Sequence, residues 1–135
     1  MSRTFFDSNI LVYAFTPGSR SEIAYALLNR GGVVSTQSLN ELANVLRRKQ
    51  KQDWLAVHNA IQAVIDRCPT IVALTMQVQQ LGLRMAERYR LSIYDGMIVA
   101  AALTAECDIL YSEDMHDGLV IDGRLTVVNP FAPAA

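Results

Sequence analysis

The chain has 135 residues, just over half of them hydrophobic (51%), with a net charge of −1. That length suits a single domain, 1–135, with a sizeable core; no apolar run reaches the ~18 residues of a membrane span, and bulk charge gives no help in binding a polyanion, which would need a local basic patch or bound cations. Cys68 and Cys107 are the only cysteines; without a CxxC pair they support neither a disulfide framework nor a zinc site, and they fit a reducing cytoplasm.

The opening "MSRTFFDSN" has an acid where a signal peptide has its apolar centre, so no export signal is expected. "RTFF" is a short strand that runs into Asp7. Charge is costly away from water unless it is paired or bound to a metal, so Asp7 either caps a turn or holds something. "SEIAYALLNR" spaces Ile23, Ala26, Leu27 and Leu28 as a helix and stops at Gly31-Gly32. "VVST" is a second strand, and "QSLNELANVLRRKQ" a helix with Leu39, Leu42, Ala43 and Leu46 on one stripe. "QDWLAVHNAIQAVIDRC" is another helix, closed by Pro69.

"TIVAL" is a third strand, and "TMQVQQLGLRMAERYR" is helical. "SIYDGMIVAAALTAE" is a helix apolar almost all round, and so buried. "CDILYS" and "LTVVN" are the fourth and fifth strands, and the closing "PFAPAA" reads as loose. Strands alternating with helices predict a three-layer α/β/α sandwich around a central, mostly parallel sheet. Such sheets form their sites in the crevice beyond the carboxyl ends of the strands.

Four acids converge on that edge. Asp7 ends the first strand, and Asp114 lies just past "CDILYS". Glu41 lies near the first turn of the helix after "VVST", and Asp95 opens the helix that leads into "CDILYS". Each has an ordinary alternative: a turn or cap for Asp7, a solvated face for Glu41, an N-cap or first-turn acid for Asp95, a turn for Asp114. Together on one rim they would repel, and a bound divalent cation relieves that repulsion. Hard cations such as Mg²⁺ or Mn²⁺ suit an all-oxygen cluster, and their chemistry is the cleavage of phosphoesters.

These residues resemble a PIN-domain ribonuclease, specifically the VapC-type toxins of bacterial type II toxin–antitoxin pairs. The resemblance runs through "FFDSNILVYAF", "STQSLNELANVLRRK", "LSIYDGMIVAAAL" and "CDILYSEDM", in order along nearly the whole chain. It implies that Asp7, Glu41, Asp95 and Asp114 are the catalytic and metal-binding acids, holding one or two Mg²⁺ or Mn²⁺ ions. It further implies an endoribonuclease that leaves a 3′-hydroxyl and a 5′-phosphate. Asn9 and Ser112 match polar positions that fix carboxylate or water geometry, against ordinary roles as a helix-entry residue and a loop hydroxyl. Asp117 is a candidate peripheral metal ligand, and Glu113 alternates outward.

Arg47 and Arg48, in the densest basic run, are candidates for RNA phosphate contact, against a plain solvated helix terminus. His58 and His116 are not needed for the chemistry. Tyr13, Phe15 and Tyr94 fit core packing better than base stacking. The resemblance also implies a homodimer and a small antitoxin protein as partner, with Trp54 standing out as an interface residue. The alternative is a PIN-like module that binds RNA or protein without cutting. An aspartyl-phosphate phosphatase would need a second acid where "DSN" has Asn9, and a phospho-acceptor receiver would need a late-strand lysine that "CDILYS" and "LTVVN" lack.

Overall fold

The computed structural model describes residues 2–132. Its elements in order are β1 (Thr4–Phe6), α1 (Ser8–Ala14), α2 (Ser21–Asn29), β2 (Val33–Ser35), α3 (Thr36–Arg48) and α4 (Trp54–Arg67), then β3 (Thr70–Val72), α5 (Met76–Tyr89), α6 (Ile93–Thr104), β4 (Ile109–Tyr111), β5 (Val120–Ile121) and β6 (Leu125–Val128). The strands form one six-stranded sheet in the order β3-β2-β1-β4-β6-β5. All neighbours are parallel except β5 and β6, which pair antiparallel. The expected α/β/α sandwich is therefore present.

Alternation along the strands divides the core in two. Phe5, Val33 and Leu110 point to one face, where they join Ile98, Val99, Val78 and Met85 of α5 and α6. Phe6 and Val34 point to the other and meet Leu11, Leu28, Leu42 and Val64 of α1 to α4. Side chains two residues apart share a face of a strand, so each short strand supplies both layers. The helix α6 is buried from Gly96 to Leu103, as its all-round apolar sequence requires.

Two elements differ from the sequence reading. "SNILVYA" is a helix, α1, directly after β1; its apolar cluster at Ile10, Leu11 and Ala14 carries a helical spacing too short to separate from the preceding strand by pattern alone. The two-residue strand β5 lies in a segment, "GLVIDG", too short to show a period. The loose end expected from Pro130 is only part of the story: Phe131 packs edge-on to Tyr13, with ring centroids 5.1 Å apart, while residues 133–135 lie outside the described residues.

The topology fixes where a site can form. From β1 the chain lays β2 and β3 on one side, then crosses to place β4 on the other. The strand order thus reverses between β1 and β4, and that is where a crevice opens beyond the carboxyl ends. Asp7 and Ser112 are the first residues past those two ends. The ladder holds them there: Asp7 N–H donates to Tyr111 O (3.0 Å), and Ser112 N–H to Val128 O (3.1 Å).

Candidate active site

Asp7 does two jobs. It is the N-cap of α1, with Oδ1 accepting from Ser8 N–H at 2.7 Å, so the ordinary capping role is real. Its other oxygen, Oδ2, accepts from Ser112 Oγ at 2.7 Å and from Asn9 Nδ2 at 3.3 Å. The residue is buried, 2% exposed. Burial pushes its carboxyl up to about 7, against the pull of the Ser112 and Ser8 hydrogen bonds and with a further push from Asp95 and Glu41. A carboxylate is hard to ionise in such a place without a positive charge nearby.

Glu41 arrives from α3. That helix begins at Ser35, whose hydroxyl accepts from Ser38 N–H (3.1 Å) while Ser38 Oγ accepts from Ser35 N–H (3.1 Å), a reciprocal cap. Glu41 lies in the second turn rather than the first. Its Oε2 accepts from Ser8 Oγ at 2.9 Å and its Oε1 from Gln37 Nε2 at 3.0 Å, one turn earlier on α3. Ser8 therefore links Glu41 to Asp7.

Asp95 is in the first turn of α6 but does not open it; Ser92 is the N-cap, its hydroxyl accepting from Asp95 N–H at 3.1 Å. The Asp95 carboxyl is pushed above its ordinary value, first by burial and then by the charges of Asp114 and Glu41, while Ser92 pulls it down. Asp114 follows β4, is exposed, and takes Asn9 Nδ2 on Oδ2 at 3.0 Å. Its N–H donates to Ser112 Oγ at 3.2 Å. The four acids of the sequence reading thus meet at one edge, within electrostatic reach of one another.

Asn9 is the junction. Its Nδ2 reaches both Asp7 and Asp114, while its Oδ1 accepts from Glu113 N–H at 3.2 Å, so its whole amide is in use. Ser112 is fully buried and holds Asp7 to the start of the Asp114 loop. Sequence reasoning passed over Ser8 and Gln37. The middle residue of "DSN" was a signal for the first, and the four-residue spacing to Glu41 for the second.

Other candidates fall elsewhere. Asp117 is exposed, and its Oδ1 accepts from Asn129 N–H at 2.8 Å, tying the loop to the end of β6. Arg47 lies roughly 9 Å beyond Glu41 along α3, stacked over the Trp54 ring at 4.7 Å and donating to Gln52 O; Arg48 is exposed beside it. Glu113 does not simply face outward: it receives the Tyr13 hydroxyl at 2.6 Å and pairs with Arg20. His58 and His116 are exposed. Tyr94 is 66% exposed and not core, and Trp54 is 59% exposed.

The donor set suits a hard divalent cation. It is all carboxylate and hydroxyl oxygen, and among the described residues neither ion pair involves any of the four acids. No three His, Cys, Asp or Glu side chains among the described residues form a ready-made ligand cage. Magnesium does not demand one, since it commonly keeps several waters and takes one or two carboxylates.

The family model described as "PIN domain" matches residues 4–116. No curated protein matches the chain. Among solved structures, the chain is similar to a toxin–antitoxin complex from Klebsiella pneumoniae (TM-score 0.72, 19% identity, covering 95% of this chain and 98% of that one). It is similar to Mycobacterium tuberculosis VapC20, a sarcin–ricin loop cleaving toxin (TM-score 0.65, 16% identity, 82% and 89% covered). A third likeness is to VapBC2 from Rickettsia felis bound to a DNA fragment from its promoter (TM-score 0.58, 18% identity, 82% and 87% covered). At these identities the likeness is one of fold.

Proposed function

Because the chain belongs to the PIN domain family, we propose that it is a metal-dependent endoribonuclease, the toxin of a VapC-type toxin–antitoxin pair. The observation that carries this reading is the setting of Asp7: a buried carboxylate at the switch point of the sheet, faced by Glu41 and Asp95 and tied through Asn9 to Asp114. Asp7, Glu41, Asp95 and Asp114 would hold one or two Mg²⁺ or Mn²⁺ ions. When bound, such ions supply the charge that stabilises a phosphodiester as it is hydrolysed.

The chain's own groups prepare that site. Ser112 and Ser8 hold opposite oxygens of Asp7, which fixes the plane of its carboxylate. Ser8 and Gln37 hold the two oxygens of Glu41. Asn9 keeps Asp114 turned toward Asp7. Fixed carboxylates present their lone pairs without the cost of reorganising at each turnover. Structural neighbours that are toxin–antitoxin assemblies support a protein antitoxin as partner, and a homodimer is part of the same reading.

The test is RNA cleavage by the purified chain with Mg²⁺ or Mn²⁺, against Asp7→Asn and against EDTA. The panel should include transfer, ribosomal and messenger RNA and a sarcin–ricin stem-loop. Cutting that both controls abolish is the expected result. Cutting that persists in Asp7→Asn would remove the reading.

A further inference from the structure

Asp114 is exposed and stands at the head of a loop without regular structure between β4 and β5. Its side chain takes one direct bond, from Asn9 Nδ2 at 3.0 Å, and that bond keeps its geometry only while the backbone beside it is held. The residue before it is held with unusual thoroughness. Glu113 N–H donates to Asn9 Oδ1 (3.2 Å), and Glu113 Oε1 accepts from the Tyr13 hydroxyl (2.6 Å). Asn9 and Tyr13 are one turn apart on α1 and share a face, so a single helix face grips both the backbone and the side chain of Glu113.

The grip is backed from behind. Arg20 Nη1 lies 2.5 Å from Glu113 Oε2 and donates to the Tyr13 hydroxyl at 2.8 Å. Its guanidinium sits over the rings of Tyr13 and Phe131, at 5.3 and 5.4 Å from their centroids. Arg20 is 45% exposed, and an ion pair so open adds little to stability. The arrangement is better suited to fixing a position than to holding the fold.

We infer that Glu113 is a positioning residue for Asp114: the Tyr13–Arg20–Glu113 cluster fixes the 112–114 segment so that Asp114 faces Asp7. This rests on the proposed metal site. The outer-shell partners of metal ligands set ligand geometry, and their loss commonly costs about ten- to a hundredfold in metal affinity. Among the described residues the Glu113 carboxylate is bonded to Tyr13 and Arg20 and to none of the four acids, so its effect on a bound ion runs through Asp114.

The experiment is Mn²⁺ titration of the full chain by calorimetry, without RNA, on wild type, Glu113→Ala, Glu113→Gln, Tyr13→Phe, Asp114→Asn and Arg88→Ala. Arg88 forms a second exposed ion pair, with Asp122, and serves as control. Glu113→Ala should weaken Mn²⁺ binding about tenfold. Glu113→Gln still accepts from the Tyr13 hydroxyl and should recover part of that loss. Arg88→Ala should bind as wild type does, and in RNA cleavage the Glu113→Ala defect should fall on kcat rather than KM. If Glu113→Ala does not fold, Tyr13→Phe decides: a severalfold loss supports the inference. Wild-type affinity in both Glu113→Ala and Tyr13→Phe, with Asp114→Asn impaired, overturns this inference and leaves the metal site standing. A wild type that binds no Mn²⁺ overturns both.

Discussion

Ser112 Oγ donates a 2.7 Å hydrogen bond to Asp7 Oδ2 across 105 residues of sequence, and both groups are buried. The contact joins the carboxyl ends of β1 and β4, the two strands between which the strand order reverses. It is both a structural tie and the support of the candidate metal ligand.

Removing that donor separates the two roles. In Ser112→Ala, Asp7 Oδ2 keeps only the longer bond from Asn9. Leaving a buried acceptor short of a partner costs about 1–3 kcal/mol. Urea unfolding should show a loss in that range, and the Asp7 carboxyl should rise still further, since Ser112 is the strongest influence holding it down.

The buried acid makes stability depend on pH. Asp7 titrates near 3.8 when unfolded and is raised to about 7 when folded. Its contribution to stability is therefore full below about 3.8 and is lost as pH rises through about 7. Asp7→Asn cannot ionise. Without divalent metal it should melt higher than wild type at pH 8, with the gap closing toward pH 4, while its RNA cleavage is abolished. Thermal unfolding across that pH range, with EDTA present, checks the sign.

Divalent metal should reverse part of this balance. An ion that binds only the folded chain raises its melting temperature with concentration. Mn²⁺ should stabilise wild type most at pH 8, above the value of about 7 at which Asp7 ionises, and should stabilise Asp7→Asn, Glu41→Gln and Asp95→Asn far less. Equal shifts in all four proteins would place the metal elsewhere.

The seat of Asp95 depends on a close helix contact. A Cβ built on Gly96 would lie 2.3 Å from Gly82 O and 2.9 Å from Ala86 Cβ. Gly96→Ala must push α5 and α6 apart, at a typical overpacking cost of about 1–3 kcal/mol. Chemical denaturation should show that loss, and Mn²⁺ affinity should fall because Asp95 is the adjoining residue.

Arg47 tests the reading of the basic run. Its stacking over Trp54 is an exposed cation–π contact of about 0.5–1 kcal/mol. Arg47→Ala should lose that much stability. If Arg47 and Arg48 also contact RNA phosphates, the double alanine variant will flatten the salt dependence of RNA binding.

Much of this was legible in the chain itself. Alternation of apolar strands with periodic helices settled the layer architecture, because a parallel sheet must be covered on both faces. Asp7 and Asp114 were readable as strand-end residues, and the direction in which a crossover helix returns brought Glu41 and Asp95 to the same edge, although Glu41 lies one turn deeper in α3 than its sequence position suggested. The helix α1 was hidden because seven residues following a strand give too little period to distinguish. The resemblance already offered Ser112 as a support; what only the tertiary structure decided is which oxygen of which acid each supporting side chain holds. Ser8 between Glu41 and Asp7, Ser112 beneath Asp7, and Glu113 held by Tyr13 and Arg20 are pairings across 33, 105 and 100 residues. A sequence pattern reports which face of its own element a residue occupies. A hydrogen bond between elements depends on how the whole sheet brings those faces together, and that is set by the packed core rather than by any local stretch.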